Sequence, residues 1–288
     1  MKPATVTAFC PGHISGYFRQ VTGPTLSSTG SIGAGIVISE GVTATVRQSP
    51  ATSVTIIRRC RDGAEREVIP TSPLLSSAID RVGVTASIVT ECRLPIGAGF
   101  GLSAAALLST LTALDRLFGL GLSLQEIALY AHEAEIRHKT GLGDVAACQG
   151  GGFAVRESAG IDGRIVRRLD LTGPISAVSF GPIHTPSVLS SPAQMERVSS
   201  AFPCRSPSDM RDFFHLCRAF DKKSGLETPE VQRVLAACDQ AGIPAAMTML
   251  GNGVFACGEK ATTVLSGYGE VFSFHIARSG ASIVGESP

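Results

Sequence analysis

The chain has 288 residues, 44% of them hydrophobic, with 32 glycines, no tryptophan and a formal net charge of +1. That length suits two domains, and the composition suits a soluble α/β or α+β protein with a large core. The near-neutral charge gives no ground for a nucleic-acid or anionic-membrane partner, and no apolar run is long enough to span a bilayer, since even Leu107 to Leu114 is interrupted by Ser109, Thr110 and Thr112.

Met1 to Thr5 has no apolar signal core. The eight cysteines, at 10, 60, 92, 148, 204, 217, 238 and 257, form no Cys-x-x-Cys pair, so a zinc site has little support. Several sit in apolar runs, where cysteine acts as a small hydrophobe. A reducing compartment, the cytoplasm, is the expectation.

In chain order, Val6 to Cys10 reads as a strand, broken by Pro11-Gly12-His13-Ile14-Ser15-Gly16. Ser27 to Ile38 is small and glycine-rich, either a close approach to a ligand or a tight strand entry. Val42 to Gln48 and Val54 to Arg58 read as strands, with Arg58 to Gly63 at a solvated hairpin tip. Ser72 to Val82 can form a helix, and Ala86 to Cys92 a strand.

Pro95 to Ala106 is the stretch around which the rest is organised: Pro-Ile-Gly-Ala-Gly-Phe-Gly-Leu-Ser-Ala-Ala-Ala. Glycines alternate at 97, 99 and 101, and a helix follows from Ala104 to Phe118. Glycine lets backbone N–H groups come close to a ligand, and a helix start adds unpaired donors and a positive dipole end. This is a phosphate site without a lysine, or a strand-to-helix turn without a ligand. The spacing is neither a P-loop nor the G-x-G-x-x-G of a dinucleotide fold.

Ser123 and Glu126 make a capping box for a helix running to about His138. Ile127, Ala128, Ala131 and Ala134 share one arc of it, with Glu135 at the edge and Glu133 opposite. A carboxylate on the packed side needs a cation or metal partner; the simpler alternative is an ion pair with Lys139. Asp144 follows a glycine turn, where an aspartate can also merely cap a helix. Phe153 to Arg156 closes the first half.

The second half reads as strands Ile165 to Asp170 and Ile175 to Gly181, then a loop and a pair of helices, from about Ser208 to Lys222 and from Thr228-Pro229-Glu230 to near Gly242. Ala245 to Leu250 and Val254 to Cys257 form a hairpin around Gly251-Asn252-Gly253. A short helix from Lys260 and a strand from Val271 complete a β-α-β-β-α-β pattern with one helix added.

Several of these stretches together resemble the GHMP kinase superfamily, which includes galactokinase, homoserine kinase and mevalonate kinase. Pro95, Gly99, Gly101, Ser103, Ala104 and Ala105 fall in register with its ATP-binding motif P-x-x-x-G-L-G-S-S-A-A. Cys10-Pro11-Gly12-His13 is similar to its first motif, with histidine where the family often has a cation. His132-Glu133-Ala134-Glu135 and Gly141-Leu142-Gly143-Asp144 resemble its Glu-x-Glu helix and Gly-x-x-Asp turn, with a slightly shorter segment between them than in mevalonate kinase. Met249 to Gly253 resembles its third motif, a glycine turn.

The resemblance implies an α+β fold of two domains, a ribosomal-protein-S5-like N-terminal domain over 1–160 and a ferredoxin-like C-terminal domain over 161–288. It implies transfer of the ATP γ-phosphate to a small-molecule hydroxyl. Pro95, Gly97, Gly99, Gly101, Leu102, Ser103 and Ala104 would bind ATP, Ser103 and Glu135 would hold Mg²⁺, and Asp144 would be the catalytic base. His13, Ser15, Ser31, Gly251 and Asn252 would bind the acceptor. Within the superfamily the archaeal pantoate kinases are the most similar, with shikimate, homoserine or mevalonate kinase, a non-catalytic metabolite-binding protein and a decarboxylase as alternatives. The partners expected are ATP and a small molecule, neither nucleic acid nor membrane, in a chain free to form a homodimer.

Overall fold

A computed structural model describes residues 3–171 and 173–288. Its first sheet is built on two long strands, β1 (Thr5–Val21) and β2 (Gly30–Gln48), paired antiparallel from Thr5↔Arg47 to Val21↔Gly30. The break expected at Pro11 to Gly16 does not occur. The ladder instead shifts register between Pro11 and Gly12 and again between Ser15 and Tyr17. Bulges are where a sheet tolerates a residue without an N–H and a residue without a side chain. Gly16 is the extra residue of the second shift, and a Cβ there would lie 2.3 Å from Cys217 Sγ.

β3 (Ser53–Arg59) and β4 (Glu65–Ile69) make the expected hairpin. Helix α1 (Pro73–Val82), capped by Ser72, carries the chain back to β5 (Ala86–Cys92), which lies parallel to β3 and antiparallel to β2. Such a parallel pair needs a crossover, which α1 supplies. Helix α2 (Leu102–Phe118) starts two residues before the expected Ala104, and eleven of its residues are buried. It is apolar or small nearly all round, the pattern of a helix enclosed by its own domain. Helix α3 (Leu124–His138) has both bonds of the predicted capping box. A short helix α4 (Asp144–Cys148) follows, then β6 (Phe153–Arg156), paired to β2 at Gly33 to Ile36.

β7 (Ile165–Arg168), expected to open the second half, pairs instead with β6 in the first sheet. The boundary expected after residue 160 therefore falls inside a hairpin. The second sheet comprises β8 (Ile175–Pro182), β9 (Ala245–Met247), β10 (Gly251–Cys257) and β11 (Val271–Phe274), in the order β11-β8-β10-β9 and wholly antiparallel. That is the ferredoxin-like arrangement. Between β8 and β9 stand four helices rather than two: α5 (Thr185–Leu189), α6 (Pro192–Ala201), α7 (Met210–Ser224) and α8 (Pro229–Gln240). Helix α9 (Ala261–Leu265) precedes β11, and β12 (Ser282–Ser287) returns to pair with the edge of β1. Among the described residues no helix is long and apolar enough to cross a membrane.

The two sheets are joined by an aromatic cluster. The Phe213 ring on α7 packs on Phe153 of β6 at 4.9 Å between centroids and on Tyr17 of β1 at 6.3 Å, and on Phe255 of β10 at 6.2 Å. Truncating a large buried aromatic removes transfer energy and leaves a cavity. Phe213→Ala is expected to lower unfolding stability by about 3–5 kcal/mol, read by urea denaturation. A loss under about 1 kcal/mol would mean that the cluster does not hold the halves together.

Candidate active site

One cavity of about 610 Å³ lies at the junction of the two sheets. β2 serves as its ruler. At Gly33, β2 pairs with Arg156 of β6; at Val37, with His13 of β1; at Ala44, with Thr90 of β5. Arg156, the glycine loop beside His13, and Thr90 thus mark three successive stations along the cavity.

At the middle station, Gly97, Gly99 and Gly101 have φ of 74°, 80° and 62°. These left-handed values are ones that side-chain-bearing residues rarely adopt. The space is closed as well: a Cβ on Gly99 would meet Met249 O at 2.8 Å, and one on Gly101 would meet His13 N at 2.9 Å. The reverse holds for Gly251, whose Cβ would stand 2.0 Å from Ala98 O. The loop is thus pressed against backbone on its far side. Outside the ladder of α2, the N–H groups from Gly97 to Ala104 have no acceptor among the described residues. Gly97, Gly99, Gly101 and Ser103 line the cavity, so a row of free donors and a helix N-terminus meet there.

At the first station, Asp144 opens α4 and its Oδ1 lies 2.7 Å from His13 Nδ1. His13 is fully buried, and burial lowers its pKa despite the nearby carboxylate. At neutral pH it is a neutral imidazole donating Nδ1–H to Asp144. Burial by itself would raise Asp144; the His13 hydrogen bond and the Arg156 charge outweigh it and hold the carboxyl below its ordinary range. Asp144 keeps 24% of its side-chain surface exposed and lines the cavity. Arg156 is 3% exposed, also lines the cavity, and has no partner for Nε or Nη1. A buried guanidinium with idle donors is costly unless something anionic completes it.

Behind the loop, Ser103 Oγ donates to Glu135 Oε1 at 2.5 Å. Glu135 is buried, its Oε2 has no partner, and burial together with the Asp144 charge raises its pKa to about 8. The alternative ion pair with Lys139 is absent: that ammonium donates to Ser190 Oγ at 3.1 Å.

Comparison with known proteins agrees with this geometry. The GHMP kinases N terminal domain matches residues 73–152, from α1 through the glycine loop to Asp144. A pantoate kinase of Methanospirillum hungatei is 49% identical over 284 residues, covering 99% of this chain and 98% of that one. The pantoate kinase of Thermococcus kodakarensis is 31% identical, over 91% of this chain and 92% of its own. A solved structure described as a phosphotransferase related to the CoA biosynthesis pathway superposes with a TM-score of 0.80 at 23% identity, over 97% of this chain and 98% of that one. The chain belongs to the pantoate kinase family of the GHMP kinase superfamily.

With the family in place, each expected residue can be located. Gly97, Gly99, Gly101, Leu102 and Ser103 line the cavity, as do Ser15, Ser31 and Asp144. Pro95 and the buried Ala104 do not, and serve the shape of the loop instead. His13 bonds to Asp144 and does not itself line the cavity. Asn252 is turned away: its Oδ1 accepts from Thr228 Oγ1 at 2.7 Å. Gly251 starts β10 rather than a turn, and it touches the loop and not the cavity. The turn itself is Thr248 to Leu250, with Leu250 at φ 59° and lining the cavity. Arg156 and Thr90 are site residues that the sequence reading passed over. The available signal for Arg156 was a lone cation ending the apolar run Phe-Ala-Val-Arg.

The His13 bond makes a measurable difference to Asp144. In His13→Ala the burial remains while the stabilising donor is gone, so Asp144 is expected to titrate at higher pH than in the native protein. A carbon-13 NMR titration of the aspartate carboxyls reads this directly. An unmoved or lower midpoint would show that His13 does not set the charge of Asp144.

Proposed function

We propose that this protein is an ATP-dependent pantoate kinase, phosphorylating the primary hydroxyl of pantoate to give 4-phosphopantoate for coenzyme A synthesis. The carrying observation is Arg156: a buried guanidinium with two unpartnered nitrogens, beside the one cavity-facing carboxylate of α4. Pantoate brings both groups that such a pair needs. Its carboxylate completes Arg156, and its hydroxyl reaches Asp144. Gly143 is packed between Ser31 Oγ and Arg156 Nε, each 2.6 Å from where its Cβ would be, so Ser31 can share the carboxylate.

The three stations order the substrates. The acceptor lies at Arg156 and Ser31, the polyphosphate at the N–H row of Gly97 to Ala104, and the nucleoside at the end lined by Ile56, Leu75 and Cys92. Thr90 there offers a buried hydroxyl without a partner. In the reaction the pantoate oxygen bonds to the γ-phosphorus, the bond to the bridging β–γ oxygen breaks, and ADP leaves. Asp144, ionised at neutral pH, takes the hydroxyl proton and aims the oxygen. Phosphoryl transfer depends chiefly on positioning and charge neutralisation, which the loop donors and α2 supply.

The donor set also fits Mg²⁺. Ser103 Oγ and the orphaned Glu135 Oε2, hard oxygen donors beside the loop, would hold the ion. When bound it neutralises charge on the transferring phosphate. To hold it, Glu135 would have to be deprotonated.

Steady-state kinetics separate the two roles. Arg156→Met is expected to raise the KM for pantoate by about 10- to 100-fold, the loss of a charged hydrogen bond, with the KM for ATP little changed. Asp144→Asn is expected to lower kcat by about 10²- to 10⁴-fold with both substrates still bound. Turnover of shikimate or homoserine in preference to pantoate by the native protein would overturn the substrate assignment and leave the kinase.

A further inference from the structure

Helix α4 has only five residues, and its first is the proposed base. A helix of that length does not hold itself together; the first turn costs more order than its few bonds return. Its N-terminus has no side-chain cap. Its position must come from tertiary contacts: its buried side chains pack against α2, α3 and β1, and its C-terminal carbonyls are taken by an arginine from a strand that faces away from the cavity. Arg167 on β7 donates from Nη1 to Ala147 O at 2.8 Å, to Gly150 O at 3.1 Å and to Gly151 O at 3.1 Å, and from Nη2 to Ala146 O at 2.8 Å. These are the terminal carbonyls of α4 and of the glycine run that follows.

Two features separate Arg167 from an ordinary surface arginine. Among the described residues it forms no ion pair with a carboxylate, whereas neighbouring Arg164 pairs with Glu157 and Arg168 with Asp170. Its charge faces the negative end of the α4 dipole, the favourable place for a cation. It is also closely fitted: a Cβ on Gly150 would lie 3.0 Å from Arg167 Nε. One planar fork thus spans four carbonyls, which a lysine ammonium cannot do.

We propose that Arg167 is a positioning residue for phosphoryl transfer, clamping α4 from its C-terminal end so that Asp144 at the other end meets the acceptor hydroxyl. Arg167 does not line the cavity and touches neither substrate. Its effect runs through Asp144, and the proposal rests on the reading of Asp144 as the base. A displacement of about 1 Å at a catalytic group costs on the order of 10²-fold in rate.

The test is a double-mutant cycle of Arg167→Ala and Asp144→Asn, with kcat, both KM values and thermal unfolding measured on each protein. Arg167→Ala is expected to lose about 10- to 100-fold in kcat, with both KM values within about threefold of native. In the Asp144→Asn background the same change should cost almost nothing, because there is no longer a base to misplace. Millimolar free guanidinium should recover part of the kcat of Arg167→Ala and none of that of Asp144→Asn, and Arg167→Lys should fall between native and alanine. Native kcat in Arg167→Ala would overturn the proposal alone. So would an equal loss in both backgrounds, or KM values that rise in step with a lowered melting temperature. Full activity in Asp144→Asn would overturn the base assignment and this proposal with it.

Discussion

The antiparallel pairing of β1 with β2 is the constraint on which the site depends. Four of the polar side chains around the site are fixed to that ladder by backbone hydrogen bonds. His13 and Ser15 lie on β1, Ser31 lies on β2, and Arg156 is held against β2 at Gly33. Because successive side chains in a strand point to opposite faces, a shift of one residue would turn the whole set away. The two register shifts are therefore part of the design. The first lets Gly12 pass under the loop, where a Cβ would stand 2.5 Å from Phe100 O. The second, at Gly16, lets β1 sit against α7 of the other half.

The electrostatics follow from burial within that frame. Asp144 and Glu135 are close enough that the charge of Asp144 disfavours charge on Glu135, and their surroundings shift the two in opposite directions. Asp144 has a neutral imidazole donor and a guanidinium, and stays ionised. Glu135 is buried beside that charge, has only the Ser103 hydroxyl as a side-chain donor, and has its pKa raised to about 8. In the proposed reaction the first carboxylate takes the proton of the acceptor hydroxyl, and the second would exchange its own for a cation. Two titratable groups whose environments push them apart are the usual way in which one site separates its roles. Arg156 adds a third element. Burial lowers its pKa, the Asp144 charge opposes that, and two of its nitrogens have no partner among the described residues.

The parts of this site that were legible in the sequence are those set by local rules. The glycine spacing and the helix after it announced the loop, and helical periodicity singled out Glu135 over Glu133; Asp144, which local rules leave as a possible helix cap, stood out only through the resemblance of Gly-Leu-Gly-Asp to the GHMP turn. What could not be read is what arises from chain segments meeting. Nothing in Phe-Ala-Val-Arg says that this strand lies beside Gly33 and points its cation into the cavity. His13 was noticed, but its place beside Asp144 depends on α4 and β1 coming together across 131 residues. Pro11-Gly12 reads as a break by local rules and becomes a bulge because β2 supplies a partner on one side and the loop closes the other. β7 and β12 were misplaced or missed because a short strand takes its membership from its neighbour, not from its own residues.

Two residues other than glycine have positive φ among the described residues, and both border the site. Lys139, at φ 55°, ends α3 directly after the turn that carries Glu135. Leu250, at φ 59°, forms the turn that presses on the glycine loop. A left-handed conformation costs a side-chain-bearing residue on the order of 1–2 kcal/mol and persists only where the surroundings impose it. Lys139 is the left-handed cap that ends α3, its N–H bonded back to Ile136 O, and just beyond it Gly141 passes so near Glu135 that a Cβ would lie 2.5 Å from Oε2. At Leu250 the reason is the reciprocal contact of Gly251 with Ala98, which fixes the direction in which the chain must leave the turn. Glycine at 250 would relieve that strain, but it would also remove an apolar side chain from the cavity wall. The strained backbone at Leu250 thus comes together with an apolar side chain that the second sheet contributes to the cavity wall, beside the glycine loop.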